Sequence, residues 1–129
     1  MKILVTTLLL LIANGSQACN GDQGIALAER AKHFVKYYDY VAQVRLSELG
    51  KLTEQVQLAT FEVIHTYKGN ESKTATIENR LNTSCSKEFL DKGEIYYVFA
   101  KLGVSNYKIT GGTFASERRL KAANIEFNP

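Results

Sequence analysis

Apolar positions along this chain follow two periods, and the places where the period changes mark its elements. Ile25, Ala28, Ala31, Phe34, Val35 and Tyr38 recur at steps of three or four, with Glu29, Arg30, Lys32 and Lys36 between them. That spacing predicts one amphipathic helix over residues 24–37. From Tyr40 the period drops to two. Tyr40-Val41-Ala42-Gln43-Val44-Arg45-Leu46 alternates as a half-buried strand that ends near Gly50-Lys51. Residues 54–67 read as a long second strand, with Val56 and Leu58 on one face. A change of phase near Thr60 then gives one face to Phe61, Val63 and His65, and predicts a bulge. Lys68-Gly69-Asn70 closes the strand as a turn.

Residues 73–79 form a third strand by their β-branched content, and residues 80–92 are an irregular stretch carrying Cys85. Residues 94–100 are apolar on both faces, the mark of a central strand. Residues 107–110 make a fifth strand, ended by Gly111-Gly112, and residues 116–123 read as a closing helix. The expectation is a mainly β protein: a five-stranded Greek-key barrel of the OB type with flanking N- and C-terminal helices. A sandwich is the competing arrangement of the same elements.

The start of the chain follows another logic. Lys2 precedes the apolar run from Ile3 to Ala13, which covers roughly half of a ~30 Å hydrocarbon core. Asn14-Gly15 follows, and Ser16-Gln17-Ala18 supplies small residues before Cys19. Residues 1–18 therefore read as a signal peptide and residues 19–129 as one exported domain, secreted or periplasmic, with no transmembrane span. Cleavage makes Cys19 the first residue. Bacterial lipoprotein maturation also leaves an N-terminal Cys, acylated on sulfur and amine, which would anchor the protein in the envelope. That route prefers Leu where this chain has Ser16. In the other reading Cys19 stays unmodified and joins Cys85, the only other cysteine. Such a bridge would contribute roughly 4 kcal/mol in the chain-entropy model; two free thiols are the remaining alternative.

Composition narrows the function classes. The 129 residues are 45% hydrophobic and 22% charged, as expected of one packed domain. Sixteen basic against thirteen acidic residues is too even a balance for a nucleic-acid binder, and the aromatics sit mostly at alternating strand positions, where core residues stand. Two Cys and two His cannot build a four-ligand zinc site unaided. His33 and His65 have no acidic residue at ligand spacing, no glycine-rich phosphate loop appears, and Glu88 and Asp91 read as solvated surface. Ser84-Cys85-Ser86 offers no nucleophile if Cys85 is bridged. Asn70-Glu71-Ser72 and Asn82-Thr83-Ser84 match the glycan acceptor pattern, which matters only in a eukaryotic secretory route. The chain reads as a non-enzyme without cofactor or metal of its own, and implies no particular oligomeric state.

The order of parts resembles the netrin-like OB module of the tissue inhibitors of metalloproteinases and of small exported bacterial relatives. An N-terminal Cys follows a signal peptide, and Asp39-Tyr40-Val41 opens the first strand. Phe61-Glu62-Val63 leads to Tyr67-Lys68-Gly69, and Cys85 precedes Phe89, Gly93 and Tyr96-Tyr97-Val98-Phe99-Ala100. Residues 107–112 and 116–120 follow as last strand and helix. The resemblance implies a Cys19–Cys85 bridge and a zinc metalloprotease as partner. It further implies that the Cys19 amine and carbonyl chelate the target's catalytic zinc, Asn20 enters its specificity pocket, and Thr83 and Ser84 flank it. A non-inhibitory interaction module of the cell envelope is the alternative. The chain departs from the pattern at Gly21, where the animal inhibitors carry a second Cys, and at Gly112-Thr113, where another is expected. It also lacks the cysteine-rich second domain.

Overall fold

A computed structural model describes residues 22–129; the expected signal segment, Cys19 and Asn20 lie outside the described residues. The chain enters at α1 (Gln23–Glu29), whose first turn is capped by the Asp22 carboxylate, accepting from the Ile25 N–H at 3.1 Å. Arg30 leaves helical geometry (φ −122°, ψ 42°), so the single helix expected over residues 24–37 is divided into α1, α2 (Ala31–Phe34) and a 3-10 turn (Val35–Tyr37). The break serves two surfaces. Leu27 and Ala31 pack on Val41 and Phe99, while Ala28 turns toward Ala115 and Leu120. Gly24 permits the close approach: a Cβ there would lie 1.7 Å from the Phe114 carbonyl oxygen.

Six strands follow: β1 (Tyr40–Leu49), β2 (Val56–Lys68), β3 (Thr74–Arg80), β4 (Ile95–Leu102), β5 (Tyr107–Thr110) and β6 (Phe114–Ser116), then α3 (Glu117–Ala122). β1, β2 and β3 pair antiparallel in sequence; β3 pairs parallel with β5, β5 antiparallel with β4, and β4 returns to β1. This closes a five-stranded OB-type barrel. β6 is an addition to the expected set. It lies along β4, with Val98 opposite Phe114, where β5 has left the sheet.

The β1–β2 ladder corrects the expected facing of β2. Gln57, Ala59 and Phe61 are the buried positions, and Leu58 is exposed, so there is no change of phase at Thr60. The bulge there belongs to β1: Leu46 faces Phe61 and Glu48 faces Thr60, leaving Ser47 extra, with its hydroxyl donating to the Thr60 carbonyl at 2.9 Å. A second irregularity, between Gln43 and Val44, leaves Ile64 extra on β2, and His65 beyond it is exposed. β1 ends at Leu49, beside the expected Gly50-Lys51. The hairpin turns at Glu54-Gln55, both at positive φ (47° and 63°), with Thr53 and Val56 exchanging backbone hydrogen bonds.

β4 is central, as its two apolar faces require. Tyr96, Val98 and Ala100 point into the barrel with Val44, Leu46, Phe61, Ile77, Phe89 and Ile109. Phe99 and Tyr97 point outward, beneath the helices and Phe127 of the C-terminal segment. No helix among the described residues is long and apolar enough to cross a membrane.

Candidate functional site at the Cys85 loop

The connection from β3 to β4 holds three of the five residues singled out from the sequence. Thr83 and Ser84 are exposed and Cys85 is half-buried. Residues 83–86 form a turn closed by Ser86, whose hydroxyl donates to the Arg80 carbonyl at 3.1 Å and receives the Thr83 N–H at 3.1 Å. The Ser86 N–H returns a bond to the Thr83 carbonyl at 3.2 Å. The loop is therefore held by the Ser86 hydroxyl together with its own backbone. Gly112 packs against it from the far side. A Cβ at Gly112 would lie 2.5 Å from the Cys85 carbonyl oxygen, and its φ of +67° is a conformation that glycine adopts freely.

Beneath the turn, a buried polar network joins the loop to the barrel wall. The Gln57 side chain donates to the Phe89 carbonyl and accepts from the Phe89 N–H, both at 2.9 Å. Asn79 donates to Gln57 Oε1 at 3.1 Å and to the Lys87 carbonyl at 2.7 Å. Both amides are buried, at 5% and 0% exposure. Each replaces the backbone partner that an irregular segment lacks when it lies over a core. This is why Gln57, a polar residue, takes the inward position expected for its neighbours Val56 and Leu58.

Lys87 connects the loop to the start of the described chain. Its Nζ donates to both Asp22 carboxylate oxygens at 2.9 Å and to the Phe114 carbonyl at 3.3 Å, and it lies 4.9 Å from the centre of the Phe114 ring. Arg119, from α3, reaches the same carboxylate. Burial alone would push the Asp22 carboxyl up. The Lys87 hydrogen bond, the Ile25 N–H and the charges of Lys87 and Arg119 outweigh burial and hold it below its ordinary value. Asp22 is thus a helix cap and a double ion pair at once, joining α1, the Cys85 loop and α3.

A second polar cluster lies on the outer wall. Gln43 Nε2 donates to Glu117 Oε2 at 2.8 Å and to the Tyr97 hydroxyl at 3.3 Å. Burial, and then the Glu117 charge, push the Tyr97 phenol up to about 12. Phe127 stacks on Tyr97 with centroids 4.2 Å apart.

His33 and His65 are exposed on different elements, and no group of three or more His, Cys, Asp or Glu among the described residues is placed to hold a metal. Glu88 and Asp91 are exposed, as expected, while their neighbour Lys87 is partly buried and paired. The sequence reading missed Gln57, Asn79, Lys87 and Asp22. Only Asp22 carried a signal: an Asp immediately before a helical period is a cap. No family model matches the chain, and no curated protein matches it significantly.

Proposed function

We propose that this protein is an exported inhibitor of a zinc metalloprotease that acts through the amine and carbonyl of Cys19, with Cys19 bridged to Cys85. The observation that carries the reading is the anchoring of Asp22. It is clamped by Lys87, two residues beyond Cys85, and the three residues back to Cys19 span at most about 10 Å of extended chain. In this reading, a mature N-terminus at Cys19 would stand beside the exposed Thr83-Ser84 turn, where an inhibitory edge needs a free amine beside flanking contacts. An amine and a carbonyl of one residue form a five-membered chelate and displace the zinc-bound water that performs hydrolysis. A clamped chain end loses less entropy on binding. The OB-type barrel and the order of its parts agree with the netrin-like resemblance.

The test begins with the intact mass of the exported protein, then measures inhibition across a panel of zinc metalloproteases. Unmodified Cys19 and inhibition that vanishes when one Ala is inserted before Cys19, with the fold intact by circular dichroism, are the expected results. Undiminished potency in that variant would exclude chelation by the chain end. An acylated Cys19 would exclude it as well and leave an envelope-anchored interaction module. The amine titrates at roughly 7.7–8.0 and binds zinc only when deprotonated. Inhibition is therefore expected to strengthen from about pH 6 to about pH 8 after correction for the protease's own titration.

A further inference from the structure

On the barrel wall, Lys101 of β4 and Lys108 of β5 stand directly opposite each other in the antiparallel ladder. Like charges in that register repel. Neither lysine forms an ion pair among the described residues. Asp39, which precedes β1 beside the end of β4, has its Oδ2 engaged by the Leu102 N–H at 2.8 Å. Beyond Lys108 the sheet splits: β5 ends at Thr110, and the chain passes through Gly111 and Gly112 before β6 rejoins β4 at Phe114. The split leaves a cavity of about 360 Å³ lined by Tyr38, Phe99, Lys101, Lys108, Thr110 and Thr113.

The lining has a definite chemistry. Lys101 Nζ lies 5.8 Å from the centre of the Tyr38 ring. Thr113 Oγ1 already donates to the Phe99 carbonyl at 2.6 Å, so its hydrogen is engaged. Two ammonium groups and the hydroxyls of Thr110 and Tyr38 remain as donors, with the Tyr38 ring as an apolar wall. No carboxylate lines the cavity among the described residues.

We propose that this cavity binds the phosphate group of a phosphate ester, with Lys101 and Lys108 flanking the anion, Thr110 donating to it and Tyr38 covering the ester's organic part. The cavity is larger than a bare phosphate, which is why an ester is assigned. The proposal is independent of the protease reading, since it involves neither Cys19 nor the Cys85 loop.

The test is an amide chemical-shift titration of the full mature chain with inorganic phosphate, glycerol phosphate and phosphatidate vesicles, at constant ionic strength maintained with chloride. Saturable shifts at Lys101, Lys108 and Thr110, lost in Lys108→Gln, are expected. The ligand should also raise the Tm of the wild type and leave that of the variant unchanged. Without ligand, Lys108→Gln should melt no lower than the wild type, because it removes a repulsion. Saturation by glycerol phosphate identifies a soluble ester, and saturation by the vesicles alone identifies a lipid headgroup; either supports the site. An equal response in Lys108→Gln, or no saturable shift with any of the three probes, overturns it. Lys101→Gln repeats the comparison from the facing strand.

Discussion

At one end of the barrel, the β1–β2 turn, the 81–94 connection and Gly111-Gly112 meet around Cys85. At the other, the β2–β3 and β4–β5 turns stand over the stacked rings of Tyr40 and Tyr107, whose centroids are 4.3 Å apart. The Cys85 end is tied by side chains. Asn79 and Gln57 bind its backbone from below, Lys87 and Arg119 grip Asp22, and the Leu81 N–H donates to the Gln55 carbonyl at 2.7 Å. The opposite end has less to hold it. Its cavity of about 360 Å³ is lined by uncharged groups, among them Asn70, Ser72, Thr76, Ser105 and Asn106. Leu102 and Val104 project into solvent at 66% and 104% exposure. One visible tie there is the Asn70 N–H bond to the Tyr107 hydroxyl at 3.2 Å. The contrast teaches where this fold has placed its order. Irregular backbone at the Cys85 end has been given fixed partners, as a surface that must keep its shape requires, whereas the far end is closed by ring stacking and short turns.

The comparison can be broken most directly at Asn79. Asn79→Ala should cost roughly 2–4 kcal/mol, because it removes two buried N–H donors, one to Gln57 and one to the Lys87 carbonyl. Urea denaturation measures it, and a loss near zero would show that the network does not secure the loop. Asp22→Ala comes next, at roughly 1–3 kcal/mol, through loss of the cap and of the Lys87 clamp.

Asp22→Asn sharpens the point because it retains a capping oxygen and removes only the charge. The folded carboxyl lies below its ordinary value. The wild type should therefore exceed the Asn variant above about pH 4, the ordinary range of an unfolded Asp, and the gap should close as pH falls through the folded value. A gap independent of pH would mean that the ion pairs contribute nothing. Smallest of all is the double change Leu102→Ser with Val104→Ser at the far end, expected within about 0.5 kcal/mol of the wild type. A larger loss would mean that the exposed turn supports the barrel after all.

The same contrast governs what could be read from the sequence. β4 announced itself because Tyr96-Tyr97-Val98-Phe99-Ala100 is apolar on both faces, but the same elements also suited a sandwich, and it is the pairing of β4 with β1 that closes the barrel. The turn at Glu54-Gln55 was not legible, since neither residue is the Gly or Asn that marks positive φ; tertiary pairing of β1 with β2 imposes it. β6 has three residues, too few to show a period. The break at Arg30 leaves the helical spacing of apolar positions unchanged on both sides, so no periodicity reveals it. Of the candidate site, Thr83, Ser84 and Cys85 were legible as a loop. The parts that hold the loop were not. An inward Gln57 or Asn79 looks like any strand polar residue until the irregular backbone it serves is placed beside it.

The parallel pairing of β3 with β5 has a consequence in time. The β1–β2–β3 meander can form from neighbouring segments, but Ile77 meets Tyr107 and Tyr40 meets Ala100 only after most of the chain has been gathered. Such non-local closure slows folding. Until it occurs, β3 and β1 each present an unpaired edge to other chains. Refolding should therefore be concentration-sensitive before closure and insensitive after it, with the fifth strand acting as the last stave of the barrel.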